Sequence, residues 1–244
     1  MSTANLPNAG TYTQTAGNTL SGADAGNYVF AGYTTTTANY TIDPKILTVS
    51  GLSASSSRVY DGTQIAVVSG TAGLLTAQTV GTGNSSDRTP YVGDVIGLTG
   101  TATGTYNSKD VASANLVTFG GLSSSNSNYV LSFETQTASI TPKNLNISGL
   151  SVATSKVYDG SRTATVSGTA SLLTASAAGS GSNADGAPYA GDVVSVVGTA
   201  IGTYDSKDVA TASAVSYSGL SLSGLQASNY ALAVQSPSNA TITP

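Results

Sequence analysis

Apolar residues in this chain recur at every second position over short stretches, and those stretches are bounded by Gly, Asn, Asp and Ser. In residues 144–152, Leu145 and Ile147 alternate with Asn144, Asn146 and Ser148, and the segment turns at Gly149. Near the end, Tyr230, Leu232 and Val234 share one face while Ala231, Ala233 and Gln235 share the other. Tyr129, Leu131 and Phe133 present the same face earlier in the chain. A period of two is that of a half-buried strand, so these segments are expected to be antiparallel strands with one face on a core. Helix signals are nearly absent. The stretch GTAGLLTAQ from Gly70, mirrored by GTASLLTAS from Gly168, is too short and too rich in Thr and Gly for a free-standing helix and reads as strand or turn. The predicted fold class is all-β.

The pattern is spoken twice. Residues 56–118 reappear as residues 154–216 in a register of 98 positions, which matches Tyr60 with Tyr158, Tyr91 with Tyr189, Asp94 with Asp192 and Lys109 with Lys207. A strand-like phrase, NYVF from Asn27, recurs as NYVL from Asn128 and NYAL from Asn229, and each copy is followed by a closing phrase that ends on Pro44, Pro142 or Pro244. Self-similarity at a fixed period signals an array of like modules. Residues 1–45 read as the C-terminal part of a preceding module, 46–143 as a first complete module and 144–244 as a second. Pro44 and Pro142 mark the junctions, and linkers this short are expected to make neighbouring modules pack end to end. The expectation is therefore tandem β-sandwich-like modules forming an elongated rod, in which each module contacts mainly its neighbours.

Composition narrows the chemistry. Charged residues make up 8% of the chain, against roughly 25% in ordinary soluble domains. There is no Cys and no His, which removes disulfides, thiolate nucleophiles, thiolate metal sites and the commonest general base. The net charge is −4 and the eight basic residues are scattered, so neither nucleic acid nor an anionic membrane surface is an expected partner. No apolar run is long enough to span a bilayer as a helix. With no His, no Cys and no asymmetric carboxylate pair, no catalytic, cofactor-binding or metal-binding residue is assigned, and the chain is expected not to be an enzyme.

The repeated motifs have both a structural and a binding reading. Tyr60-Asp61-Gly62 and Tyr158-Asp159-Gly160 carry the Asp-Gly pair favoured in type I′ hairpin turns, with the Tyr ring against the core. Asp94, Asp110, Asp192 and Asp208 sit at loop-strand junctions where carboxylates could hold structural Ca²⁺, but no loop has EF-hand or nonapeptide spacing. No cofactor is expected, and calcium is the alternative. Lys109 and Lys207 are the matched positions for an intramolecular isopeptide bond, with Asp110 and Asp208 too near in sequence to be the partners; an exposed lysine is the plainer reading. The sequons at Asn39, Asn84, Asn146 and Asn239 are of the kind chance supplies in a Ser- and Thr-rich chain. Most of the thirteen Tyr repeat with the module and so read as packing, whereas Tyr33, Tyr40 and Tyr217 are freer to stack on a ligand. The run Thr34–Thr37 lacks the spacing of a flat ice-binding array. Two Gly-, Ser- and Asn-rich insertions, residues 80–90 and 179–188, read as mobile surface loops and as the natural place for a ligand contact.

VYDG, then GDV, GTATGTYNSKDV, GLSLSG with NY, and a terminal ITPK together resemble the YDG repeat domain of very large bacterial surface and secreted exoproteins. The resemblance covers nearly the whole chain, including SGADAGNY from Ser21. It implies all-β modules in tandem within filamentous-haemagglutinin-like adhesins, exported and displayed at the cell surface, with no catalytic residue to carry over. The insertions at 80–90 and 179–188 depart from that pattern. The expected role is a non-catalytic stalk that projects a distal binding region and supports attachment or biofilm formation, its partners being neighbouring modules of the same polypeptide. The alternative is a module that recognises glycan through those two loops, or like modules on other cells through an exposed sheet edge.

Overall fold

The computed structural model describes residues 7–17, 19–81, 84–179 and 182–244. Strands supply nearly all of the regular structure among the described residues, and the helical segments among them are single 3-10 turns at Ala25–Asn27 and Ala227–Asn229. The all-β expectation holds. No helix among the described residues is long and apolar enough to cross a membrane.

The chain forms two compact units whose boundaries cut across the repeat. One comprises Met1–Ala54, Val67–Gly104 and Thr118–Gln136; the other comprises Ser55–Ala66, Thr105–Val117 and Thr137–Pro244.

In the first unit the strand Lys45–Ala54 is central, with Val68–Leu74 antiparallel on one side and Tyr129–Phe133 parallel on the other. Leu47 and Val49 point from it into the core at 0% and 2% exposure. The antiparallel register slips between Ser50 and Leu52. Gly51 and Gly70 face each other at this slip, both at positive φ (82° and 85°), and a Cβ on Gly70 would run into the carbonyl oxygen of Gly51. Only glycine permits that approach. A separate ribbon pairs Gly10–Tyr12 with Tyr40–Ile42.

The second unit repeats the plan in full. Lys143–Val152 lies between Val166–Leu172, antiparallel, and Tyr230–Ala233, parallel. Its burial alternates residue by residue from Lys143 to Ile147, as the period-two pattern predicted. Ser195–Tyr204 and Ala214–Ser223 form a long antiparallel pair flanked by Thr163–Ala164 and Ser238–Asn239. Ile147, Leu150 and Tyr217 join the side chains of these two sheets in one apolar cluster with Val166, Val196 and Leu220.

Two expectations are corrected. The opening and closing strands of each repeat are parallel, not antiparallel, since Tyr129 pairs with Lys45 and Tyr230 with Lys143 in parallel ladders. A parallel pair needs a long crossover, and here nearly a whole repeat supplies it. The Tyr-Asp-Gly motif is not a hairpin either. Ser57–Val59 pairs in parallel with Ser139–Thr141, whereas Ile65–Ala66 joins a different sheet. Gly62 has positive φ (78°) but Asp61 does not, which excludes a type I′ turn. Instead the Asp61 carboxylate accepts hydrogen bonds from the Thr63 amide at 2.8 Å and the Thr63 hydroxyl at 2.9 Å, turning the chain through its own side chain.

Candidate functional site

A polar cluster lies inside the second unit, where Tyr60, Lys109 and Asp110 of the first repeat meet Tyr189, Asp192, Asn229 and Tyr230 of the second. Each residue is delivered by local structure. Tyr60 follows the strand Ser57–Val59, and its amide donates to the Thr141 carbonyl at 2.8 Å, which fixes the tip. Beneath the tip, Arg58 pairs with Asp61 and lies over the Tyr106 ring at 4.9 Å. Asp192 sits in a turn after Tyr189, donating its amide to the Tyr189 carbonyl at 3.1 Å. Asn229 ends the 3-10 turn that leads into Tyr230–Ala233.

The Asp192 side chain is 8% exposed. Its Oδ2 accepts hydrogen bonds from the Tyr230 hydroxyl at 2.6 Å and the Tyr60 hydroxyl at 2.8 Å, and its Oδ1 lies 3.4 Å from the Lys109 ammonium. Lys109 also donates to the Tyr60 oxygen at 3.0 Å, so the phenol both gives and receives. The Tyr60 ring, wholly buried, stands edge-on to Tyr189 and Tyr230 at centroid separations of 5.8 and 5.3 Å. Such T-shaped pairs suit the ring quadrupole. Alongside, the Val111 amide donates to Asn229 Oδ1 at 2.9 Å, and Asn229 Nδ2 donates to Asp110 Oδ1 at 2.7 Å. Gly62 closes the contact from the other flank, where an added Cβ would come within 2.8 Å of the Ala178 methyl.

Electrostatics fix the protonation states. Burial pushes the Tyr60 phenol above its ordinary range, partly offset by Lys109 and reinforced by Asp192. Burial, then Asp192, raises Tyr230 further. Burial alone would lower Lys109, but the hydrogen bond to Tyr60 and the charge of Asp192 outweigh it and hold the ammonium protonated. The cluster thus sets two phenol donors and one ammonium around the Asp192 side chain. That arrangement clamps segments together, and each strong bond is charge-assisted.

A second layer supports it. The Lys143 side chain is fully buried, pairs with Asp185 at 2.7 Å and lies 3.8 Å from the centre of the Tyr189 ring. The hydrogen bond from Lys143 holds the Asp185 carboxyl below its ordinary range. In the first unit Lys45 repeats the arrangement with Asp87 at 2.7 Å and Tyr91 at 4.1 Å.

The structure redistributes the residues singled out from sequence. Lys109 and Asp192, unremarkable apart, are brought together, whereas Lys207 pairs with its neighbour Asp208 at 2.7 Å on the surface. Tyr217 is no free platform: it is 4% exposed, and its hydroxyl bonds Ser238 at 2.7 Å. Tyr33 and Tyr40 are exposed. Among the described residues no three acidic side chains gather as a metal site would require. The second insertion is not a free loop throughout, since Gly186, Ala187 and Pro188 are buried and Gly186 accepts from the Asn146 amide at 2.8 Å. Residues 82, 83, 180 and 181 of the two insertions lie outside the described residues. Lys45 and Lys143 with Asp87 and Asp185 were missed, although both pairs keep the 98-position register that drew attention to the tyrosines.

No curated protein and no solved structure matches the chain significantly. The family model described as YDG domain matches twice, over residues 43–138 and 141–239. The matches take in both Tyr-Asp-Gly tips and every residue of the cluster around Asp192, and the chain belongs to the YDG domain family.

Proposed function

We propose that this chain is a non-catalytic stalk segment of a bacterial cell-surface adhesin. In this reading, β-sandwich-like modules run end to end as an elongated rod, exported to the cell surface, projecting a distal binding region and supporting attachment or biofilm formation. One observation carries it: the tip of one repeat is clamped by the head of the next through Tyr60, Lys109 and Asp110 on Asp192, Tyr230 and Asn229. Investment in rigid, buried joints suits a part whose task is reach. Small-angle X-ray scattering of the purified chain tests it. An extended, stiff particle that loosens in the Tyr60→Ala, Asp192→Ala double variant is expected, and a compact particle would refute the rod.

A second reading, glycan recognition through residues 80–90 and 179–188, draws on the ion pairs Lys45–Asp87 and Lys143–Asp185, which anchor each loop. Saturable binding on a glycan and matrix-protein array, lost when the loops are shortened, would favour it over the stalk.

A further inference from the structure

The tip of the second repeat carries the groups that the first tip sets against Asp192, Asn229 and Tyr230, and it presents them at the surface. Tyr158, Gly160, Lys207, Asp208 and Val209 are identical to Tyr60, Gly62, Lys109, Asp110 and Val111, whereas Lys156, Ser161 and Arg162 differ from Arg58, Thr63 and Gln64. Tyr60 is 0% exposed and Tyr158 is 48% exposed. The Lys207 and Asp208 side chains are 53% and 61% exposed, against 37% and 44% for Lys109 and Asp110. Their chain neighbours Val157 and Val209 are exposed as well. Tyr158 lies near enough to Lys207 for the two to act on each other electrostatically. Apolar side chains exposed together and rimmed by charge mark a contact surface.

The backbone of that surface already has its docked shape. The Asp159 carboxylate accepts from the Ser161 amide at 2.8 Å, as Asp61 does from the Thr63 amide at 2.8 Å, and Gly160 and Gly62 share a positive φ of 77° and 78°. The Tyr158 amide donates to the Thr243 carbonyl at 2.8 Å, as the Tyr60 amide does to the Thr141 carbonyl. In the loop of Lys207, the Asp208 amide donates to Ser206 Oγ at 3.1 Å and the Asp208 carbonyl accepts from the Ala212 amide at 2.9 Å. The loop of Lys109 has the same two bonds at 3.0 and 2.9 Å. The tip therefore keeps one form with a head seated on it and with the tip exposed, so docking has no segment to order. One side chain differs: Lys207 pairs with Asp208 at 2.7 Å, where Lys109 reaches Tyr60 at 3.0 Å and Asp192 at 3.4 Å. Docking turns the Lys207 ammonium from Asp208 to the incoming carboxylate.

We infer that Tyr158, Lys207, Asp208 and Val209 form a docking surface for a further module head of the kind the second repeat carries, a Gly-Asp-Val turn beside an Asn-Tyr strand start. The aspartate of that head accepts from the Tyr158 hydroxyl and the Lys207 ammonium, as Asp192 does from Tyr60 and Lys109. Its asparagine accepts from the Val209 amide and donates to Asp208, as Asn229 does with Val111 and Asp110. Charge complementarity sets the selectivity, because a head without the aspartate leaves the Tyr158 and Lys207 donors unmatched. The inference rests on the stalk reading and adds to it the chemistry by which one module selects the next.

The test extends the full chain after Pro244 by a further copy of residues 143–244, which reproduces the Pro142-Lys143 junction, and follows amide hydrogen exchange. Exchange at the Val209 amide should slow by about tenfold or more on extension, because the amide then opens only with the whole joint. Asp192→Ala carried by the added copy alone should return Val209 to the rate in the unextended chain. Unchanged exchange at Val209, whether the added copy folds apart or stays unfolded, overturns the inference, as does slowing that survives Asp192→Ala. The Val111 amide, read on the same sample, separates the two failures. A protected Val111 beside a freely exchanging Val209 rejects this inference alone; a freely exchanging Val111 rejects the clamp and the stalk reading with it.

Discussion

The Tyr60 hydroxyl donates a hydrogen bond to the Asp192 carboxylate at 2.8 Å, across 132 positions of sequence. The bond joins the tyrosine tip of one repeat to the head of the next, and the joint can be dissected one group at a time.

Tyr60→Phe keeps the ring on Tyr189 and Tyr230 but deletes the hydroxyl shared by Asp192 and Lys109. A hydrogen bond to a charged group is worth about 1.5–3 kcal/mol, so a loss near the lower figure is expected, with Asp192 still held by Tyr230. Chemical denaturation of Tyr60→Phe, Asp192→Asn and the double variant should give a clearly non-additive cycle. Additive losses would mean that the two residues do not couple.

Gly62→Ala and Gly160→Ala separate backbone strain from docking. Both glycines have positive φ, 78° and 77°, and both substitutions carry a conformational cost of about 1 kcal/mol. Only at Gly62 does the new Cβ meet another residue, Ala178 at 2.8 Å, while at Gly160 the space is open. Gly62→Ala should lower the melting temperature by more than Gly160→Ala. Equal shifts would place the Tyr-Asp-Gly tip outside any joint.

Asp185→Asn leaves the wholly buried Lys143 ammonium without its counter-charge, whereas Lys143→Met leaves a carboxylate that is 28% exposed and can hydrate. Breaking a fully buried pair costs about 3–5 kcal/mol; partial exposure of Asp185 reduces this to about 2 kcal/mol for Asp185→Asn. Lys143→Met should cost less. Thermal unfolding of the two single variants checks the order.

Stability should fall at both ends of the pH scale. Asp61 and Asp185 titrate below the ordinary 3.8 in the folded chain, so their contribution is complete above that pH and is lost as pH drops through their lowered values. Asp205, held at about 2 by Ser213, extends this window downward. At high pH the sign reverses. Tyr60 and Tyr230 titrate above 10.0 when folded, so their contribution is complete below pH 10 and is lost as pH rises towards the folded values. Tyr129, raised by burial and Asp94 to about 12, behaves likewise. Phenolate absorbance should therefore show a late group of tyrosines that ionise together with unfolding. Simple titration of all thirteen near pH 10 would contradict the buried clamp.

The sequence by itself determined the all-β class, the two copies of the repeat and the alternation that buries Leu145 and Ile147, because a period of two and a fixed register are properties of neighbours along the chain. It also marked Tyr60, Asp192 and Lys109 as repeated positions without showing that they touch. The parallel pairing of Lys143 with Tyr230 was decided only in three dimensions, since alternation reads the same in either direction. So was the role of Tyr-Asp-Gly: a hairpin turn and a docking tip can share one dipeptide, and what selects between them is the Thr63 amide on Asp61 and the Asp192 carboxylate on Tyr60. A contact between residues 132 positions apart leaves no trace in local pattern, because its stabilisation exists only once both repeats have folded and met.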